Sequence, residues 1–261
     1  MASFRSPTPN SIDDTIALEY PSASPPGLKS ILYLFDPVAY EEDFSFNHSN
    51  HIIDLIEASN LALSSLSICA EPLWRVPVRA FENLSRLEVF MARDMENLAL
   101  IFRYAVRLEH LSVLGLDDRA IFSLFDGHPH SLPSLRSLKI VSPYKGWQLD
   151  VDIEEPQFLS MTRFLQGKKE LRALDIHLWI RDGSSLALCW ELLKQLPSLE
   201  VLGISTGDGV FSRDDFLSFA AALPPKLSAL RVNAQWDIDG EEENAGCRSF
   251  VRAVHFPVLC G

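Results

Sequence analysis

Leu196-Pro197-Ser198-Leu199-Glu200-Val201-Leu202-Gly203-Ile204 is a Leu-Pro corner that runs into Leu-x-x-Leu-x-Ile. The same phrase returns along the chain. It stands at Leu63-x-x-Leu66-x-Ile68, Leu84-x-x-Leu87-x-Val89, Leu108-x-x-Leu111-x-Val113 and Leu135-x-x-Leu138-x-Ile140. Further copies are Leu171-x-x-Leu174-x-Ile176, Leu199-x-x-Leu202-x-Ile204 and Leu227-x-x-Leu230-x-Val232, with a weaker one at Leu28-x-x-Ile31-x-Tyr33. Successive first leucines are 35, 21, 24, 27, 36, 28 and 28 residues apart. One structural unit, repeated, therefore accounts for most of the sequence.

The fourth and sixth positions of the phrase are two residues apart, so on a strand they point to one side. Both are aliphatic in every clear copy. The fifth position faces the other way and is Ser67, Glu88, Ser112, Lys139, Asp175, Gly203 and Arg231, a mostly polar series. Helical spacing fills the intervals. Leu98, Ile101, Phe102 and Ala105 fall at i, i+3, i+4 and i+7, as do Leu186, Cys189, Trp190 and Leu193, and Phe216, Phe219, Ala220 and Leu223. Ile52, Leu55 and Ile56 mark an earlier helix. Ser212 precedes Arg213-Asp214-Asp215, an acidic first turn that suits a helix N-terminus. Pro197 and Pro224 end helices and turn the chain toward the next strand. Strand and helix alternating in one direction predict a parallel sheet with the helices together on one side.

The mean step of about 28 residues lies within the roughly 20–29 residue period of leucine-rich repeats, and the chain resembles a helix-bearing leucine-rich-repeat solenoid. More narrowly, its irregular steps and Leu-Pro-Ser-Leu-Arg/Glu-x-Leu phrases resemble the repeat regions of fungal F-box proteins. The resemblance covers roughly residues 28–259. It implies an α/β horseshoe with a parallel sheet on the concave side and helices on the convex side. It also implies a role in presenting substrates to a ubiquitin ligase, with a cullin-ligase adaptor as partner where the full-length protein carries an F-box. The sequence departs from the pattern at the ninth position, where the family often has Asn or Cys. Here Glu71, Ala92, Leu116, Pro143, Trp179, Gly207 and Gln235 stand, so no asparagine ladder is expected.

Residues 1–27 are rich in proline and serine and read as a flexible arm; 28–261 read as the solenoid. Leu28, Ile31, Leu32, Phe35, Asp36 and Pro37 match the middle of an F-box. The leading Leu-Pro-x-Glu is missing, and Ser24-Pro25-Pro26-Gly27 stands there. The register of Pro224-Pro225-Lys226-Leu227 fits this stretch better, as an opening repeat. Residues 141–157 form the largest interruption, with Trp147 followed by Asp150, Asp152, Glu154 and Glu155; 237–243 form a second acidic loop. Phe256-Pro257-Val258-Leu259 reads as the opening of another repeat, which would leave the solenoid incomplete at its C-terminal end.

Hydrophobic residues make up 47% of the 261, enough for a continuous core. The net charge of −12 argues against nucleic acid, which asks for a basic stripe. No run approaches the ~18 apolar residues of a membrane helix. Four scattered cysteines and the lack of an apolar leader after Met1 point to an intracellular protein, cytoplasmic or nuclear, with reduced thiols.

Gly203-Ile204-Ser205-Thr206-Gly207 matches the hydrolase elbow Gly-x-Ser-x-Gly, with Asp237 and His255 following in order. An elbow needs a helix directly after the serine, and Gly207-Asp208-Gly209 is a poor start for one. The motif also falls in register with the repeat. Asp237-Ile238-Asp239-Gly240 lacks the calcium-loop spacing, and His128-Pro129-His130 has no neighbouring ligand to complete a metal set. No cofactor, metal or catalytic residue is therefore expected. The reading is a protein-recognition scaffold, with a stand-alone scaffold free of ligase function or a hydrolase using Ser205 as alternatives. The seventh position shares the concave side with the fifth, and together they make the partner surface: Phe90 and Leu114 as apolar anchors beside Val141, with Lys139, Asp175, His177 and Arg231 selecting charge.

Overall fold

The computed structural model describes residues 28–33, 47–59, 61–69, 73–90, 98–114, 118–141, 155–177, 183–237 and 254–257. The Pro/Ser-rich arm at 1–27, the rest of the F-box-like stretch (34–37), the Trp147 insertion at 142–154, the acidic loop from 238 and residues 258–261 lie outside them.

Each phrase becomes a strand. β1 is Ser30–Leu32, β2 Ser65–Cys69, β3 Arg86–Phe90, β4 His110–Leu114, β5 Ser137–Val141, β6 Ala173–His177, β7 Val201–Ser212 and β8 Ala229–Asp237. They form one open sheet in chain order, parallel from β1 through β8. Helices alternate with them: α1 (Asn47–Ser59), a 3-10 helix (Val78–Asn83), α2 (Leu98–Tyr104), α3 (Asp118–Gly127), α4 (Glu155–Gln166), α5 (Gly183–Lys194) and α6 (Arg213–Ala222). Strands are always added on the same edge, so crossovers of one hand put their helices on one face.

Register aligns equivalent positions of the phrase. Ile31, Leu66, Leu87, Leu111, Leu138, Leu174, Leu202 and Leu230 stand opposite one another in one row. All are buried, as are Ile68, Val89, Val113, Ile140, Ile176 and Ile204 in the sixth-position row. Each such side chain contributes roughly 1.5–3 kcal/mol on leaving water. The segment Ser30–Leu32 pairs in parallel with β2, with Ile31 buried and Ser30 opposite Ser65.

The corner before each strand repeats as closely as the strand does. The first leucine of the phrase donates its N–H to the carbonyl three residues back: Leu84 to Phe81, Leu108 to Ala105, Leu135 to Leu132, Leu171 to Lys168, Leu199 to Leu196 and Leu227 to Pro224. The next carbonyl is shared by two donors. Glu109 O accepts from Arg136 N and Ser137 N at 2.8 and 2.9 Å, and Arg172 O accepts from Glu200 N and Val201 N at 2.8 and 2.9 Å. Where this second position is serine, its hydroxyl joins in, as Ser228 Oγ does on Glu200 O at 3.0 Å. This main-chain ladder ties neighbouring units at the strand entrances. Of the ninth-position residues, Glu71, Ala92, Leu116, Pro143 and Trp179 lie outside the described residues.

The residue three before the first leucine is buried in each of these six corners: Phe81, Ala105, Leu132, Lys168, Leu196 and Pro224. Lys168 is thus a lysine in an apolar slot, 3% exposed, flanked in the array by units that place leucine there. Its Nζ donates to Pro129 O at 3.4 Å and sits 4.3 Å from the Phe164 ring centroid. Burial lowers its pKa from 10.5 to about 8. Between those values the unfolded chain holds a proton that the folded chain has released, so stability rises with pH across that window. The full rise is on the order of 3 kcal/mol. Lys168→Leu is expected to remove this slope and to be more stable than the parent near pH 7, because it removes the buried charge. Urea unfolding of both proteins from pH 7 to pH 10 checks it; equal slopes would show that Lys168 does not titrate from the core.

Helix faces follow the sequence less closely. Ile101, Phe102 and Ala105 are buried, as are Cys189, Trp190 and Leu193. In α6 the expected face is turned. Phe219 and Ala222 are buried while Ala220 is exposed and Phe216 is 39% exposed. The start of α6 is as expected: Ser212 Oγ accepts from Asp215 N, and the Asp215 carboxylate accepts from Ser212 N, a reciprocal cap.

One strand runs against the sequence reading. Val254–Pro257 (β9) pairs antiparallel with β8, Phe256 opposite Leu230, rather than opening a further parallel repeat. A parallel neighbour needs a crossover, whereas an antiparallel one needs only a reversal of direction.

Candidate recognition face

The sheet face away from the helices carries the third, fifth and seventh positions in three rows. On β3 they are Arg86, Glu88 and Phe90; on β4 His110, Ser112 and Leu114; on β5 Ser137, Lys139 and Val141. β6 brings Ala173, Asp175 and His177, β7 Val201, Gly203 and Ser205, and β8 Ala229, Arg231 and Asn233. All seven residues expected on the partner surface (Phe90, Leu114, Lys139, Val141, Asp175, His177 and Arg231) lie here, each half-buried. Phe90, Leu114 and Val141 are direct register neighbours and form a continuous apolar row. Cys69, which begins the same row, is buried.

Six of the polar side chains form two bonded clusters. On one side, Glu88 accepts from Ser67 Oγ at 2.9 Å and from Ser112 Oγ at 3.4 Å, bridging β2, β3 and β4. On the other, Arg231 Nη2 lies 2.5 Å from Asp175 Oδ1 and 2.5 Å from His177 Nε2. Asp175 Oδ1 and His177 Nε2 are 3.2 Å apart. With Nε2 unprotonated, the two hydrogens of Nη2 serve both acceptors; with Nε2 protonated, it donates to Asp175 instead. Burial works to raise the Asp175 pKa, but the His177 contact and the Arg231 charge outweigh it and hold the carboxyl below its ordinary value.

Gly203 makes the second cluster possible. It lies on β7 between Asp175 on β6 and Arg231 on β8. A Cβ there would come within 2.1 Å of Asp175 Oδ1 and 2.8 Å of its Cγ. The glycine leaves the gap through which the guanidinium reaches across a whole strand. Charge was expected here from the sequence, but the pairing of residues 56 apart was not.

The elements of the hydrolase reading are not assembled. β7 continues through Gly207 to Ser212, so no helix starts at Ser205, and the strand shifts register against β8 between Ser205 and Val210. Ser205 Oγ accepts from Asn233 Nδ2 at 3.2 Å. His255 lies opposite Arg231 on β9, with β8 standing between it and β7. His128 serves a turn, its carbonyl accepting from Ser131 N and Oγ, and its ring lies 6.0 Å from that of Phe102. Among the described residues no group of three His, Cys, Asp or Glu side chains is placed to hold a metal ion. No helix among them is long and apolar enough to cross a membrane.

On the helix side, a cavity of about 20 Å³ lies between β6, β7, α4 and α5, lined by Met161, Leu174, Ile176, Cys189, Leu193 and Ile204 among others. That is room for about one water, with apolar walls. Burial pushes the Cys189 thiol well up, so it stays protonated and unreactive. No family model and no curated protein matches the chain.

Proposed function

We propose that the protein is an intracellular leucine-rich-repeat scaffold, curved as a horseshoe, whose concave sheet face binds a protein partner. The observation that carries this reading is the row of Phe90, Leu114 and Val141, set side by side by strand register on a half-open face and bordered by charged groups. Contiguous apolar surface rimmed by polar groups is the usual mark of a contact. The neighbouring clusters support it, because bonded Glu88 and Asp175 hold their rows in fixed geometry ahead of binding. On the resemblance of its repeat phrases to those of fungal F-box proteins, the same face would select substrates for a ubiquitin ligase. Co-purification of a cullin-ligase adaptor with the full-length gene product tests that part.

Proximity labelling in the native cell supplies the partner. Its affinity is then measured for the parent, Phe90→Ala and Leu114→Ala, with folding confirmed by circular dichroism. Each truncation is expected to cost about 2 kcal/mol or more. If both variants bind like the parent, the binding surface lies on the helices or loops instead.

A further inference from the structure

We infer that the partner engages this face through an acidic segment that also carries apolar side chains, laid across β3, β4 and β5. The inference rests on the recognition reading above and adds the chemistry of the partner.

Both acids among the three outer rows of β3–β8 are already engaged. Glu88 is bonded to Ser67 and Ser112, and Asp175 to Arg231 and His177. Lys139 is the register neighbour of Asp175, yet that carboxylate turns away from it, through the space at Gly203, to Arg231. Lys139 consequently takes no ion-pair partner among the described residues, and Arg86, whose register neighbours are Ser65 and His110, takes none there either. His110 stands between them, opposite both Arg86 and Ser137. A chain of net charge −12 thus shows, on this sheet face, two cations with no ion-pair partner among the described residues, and a histidine, beside an apolar row.

Complementarity selects the occupant. Aliphatic or aromatic side chains of the segment cover Phe90, Leu114 and Val141, and its carboxylates meet Lys139, Arg86 and His110. Opposite charge at such a rim speeds encounter and rejects basic competitors. Two full cations are too few to hold a nucleic acid, whose affinity grows with each phosphate neutralised.

The test pans a random linear-peptide library on the full chain and measures the recovered peptides by fluorescence anisotropy. Recovered sequences are expected to be enriched in Asp and Glu interspersed with apolar residues, and their binding to weaken with salt. Lys139→Glu is expected to weaken them about tenfold or more, and Lys139→Glu with Arg86→Glu to shift preference to basic peptides. Phe90→Ala separates the two levels. If Phe90→Ala abolishes binding while Lys139→Glu leaves it intact, the face stands and the acidic partner is wrong. If neither variant changes binding, both readings fail. Recovery of peptides without acidic enrichment, or tighter binding of a single-stranded oligonucleotide, overturns the inference.

Discussion

Phe164→Ala is expected to destabilise the fold by about 3–5 kcal/mol. The ring is fully buried on α4, stacked on Phe125 of α3 at 4.5 Å and 19°, and 5.6 Å from Phe102 of α2. Three consecutive helices therefore share one aromatic cluster, and truncation opens a space that none can close without losing contact with the others. Lys168 also loses the ring beneath its ammonium group. Equilibrium unfolding in guanidinium chloride measures the effect. A loss below about 1 kcal/mol would mean that the helices pack independently of this cluster.

Leu202→Ala is expected to cost about 2–5 kcal/mol, and the damage should be local. Leu202 lies 1% exposed between Leu174 and Leu230 in the fourth-position row. In an array each unit rests mainly on its neighbours, so the lost protection should gather around residues 171–232. Hydrogen exchange read peptide by peptide distinguishes this from a uniform loss along the chain. Uniform loss would mean that the whole sheet unfolds as one cooperative unit and that the nearest-neighbour description is wrong.

The strands were legible because their period is two and their rule is strict. Once Leu66 and Ile68 are assigned to the core, Ser67 has to face outward, and the same holds in every clear copy. Helix faces were less so. α6 reads Phe216-Leu217-Ser218-Phe219-Ala220-Ala221-Ala222, apolar nearly all round, and spacing alone does not choose between Ala220 and Ala222. Packing chose Phe219 and Ala222, with Phe219 set 4.6 Å from Trp190 on α5. Lys168 was missed because lysine reads as surface. The available signal was its place three before Leu171, where other corners have Leu132 and Leu196.

The sequence by itself determined the repeating unit, the strand positions, the inward rows and the identity of the residues on the open face. These follow from covalent spacing and from the cost of leaving aliphatic side chains in water, both local properties of the chain. The tertiary structure decided which charges neutralise each other. Asp175, Gly203 and Arg231 stand on three successive strands, and only the strand register brings Arg231 across the glycine to Asp175, leaving Lys139 with no ion-pair partner among the described residues. It also decided that β9 runs antiparallel, since a short apolar phrase has the same alternation in either direction.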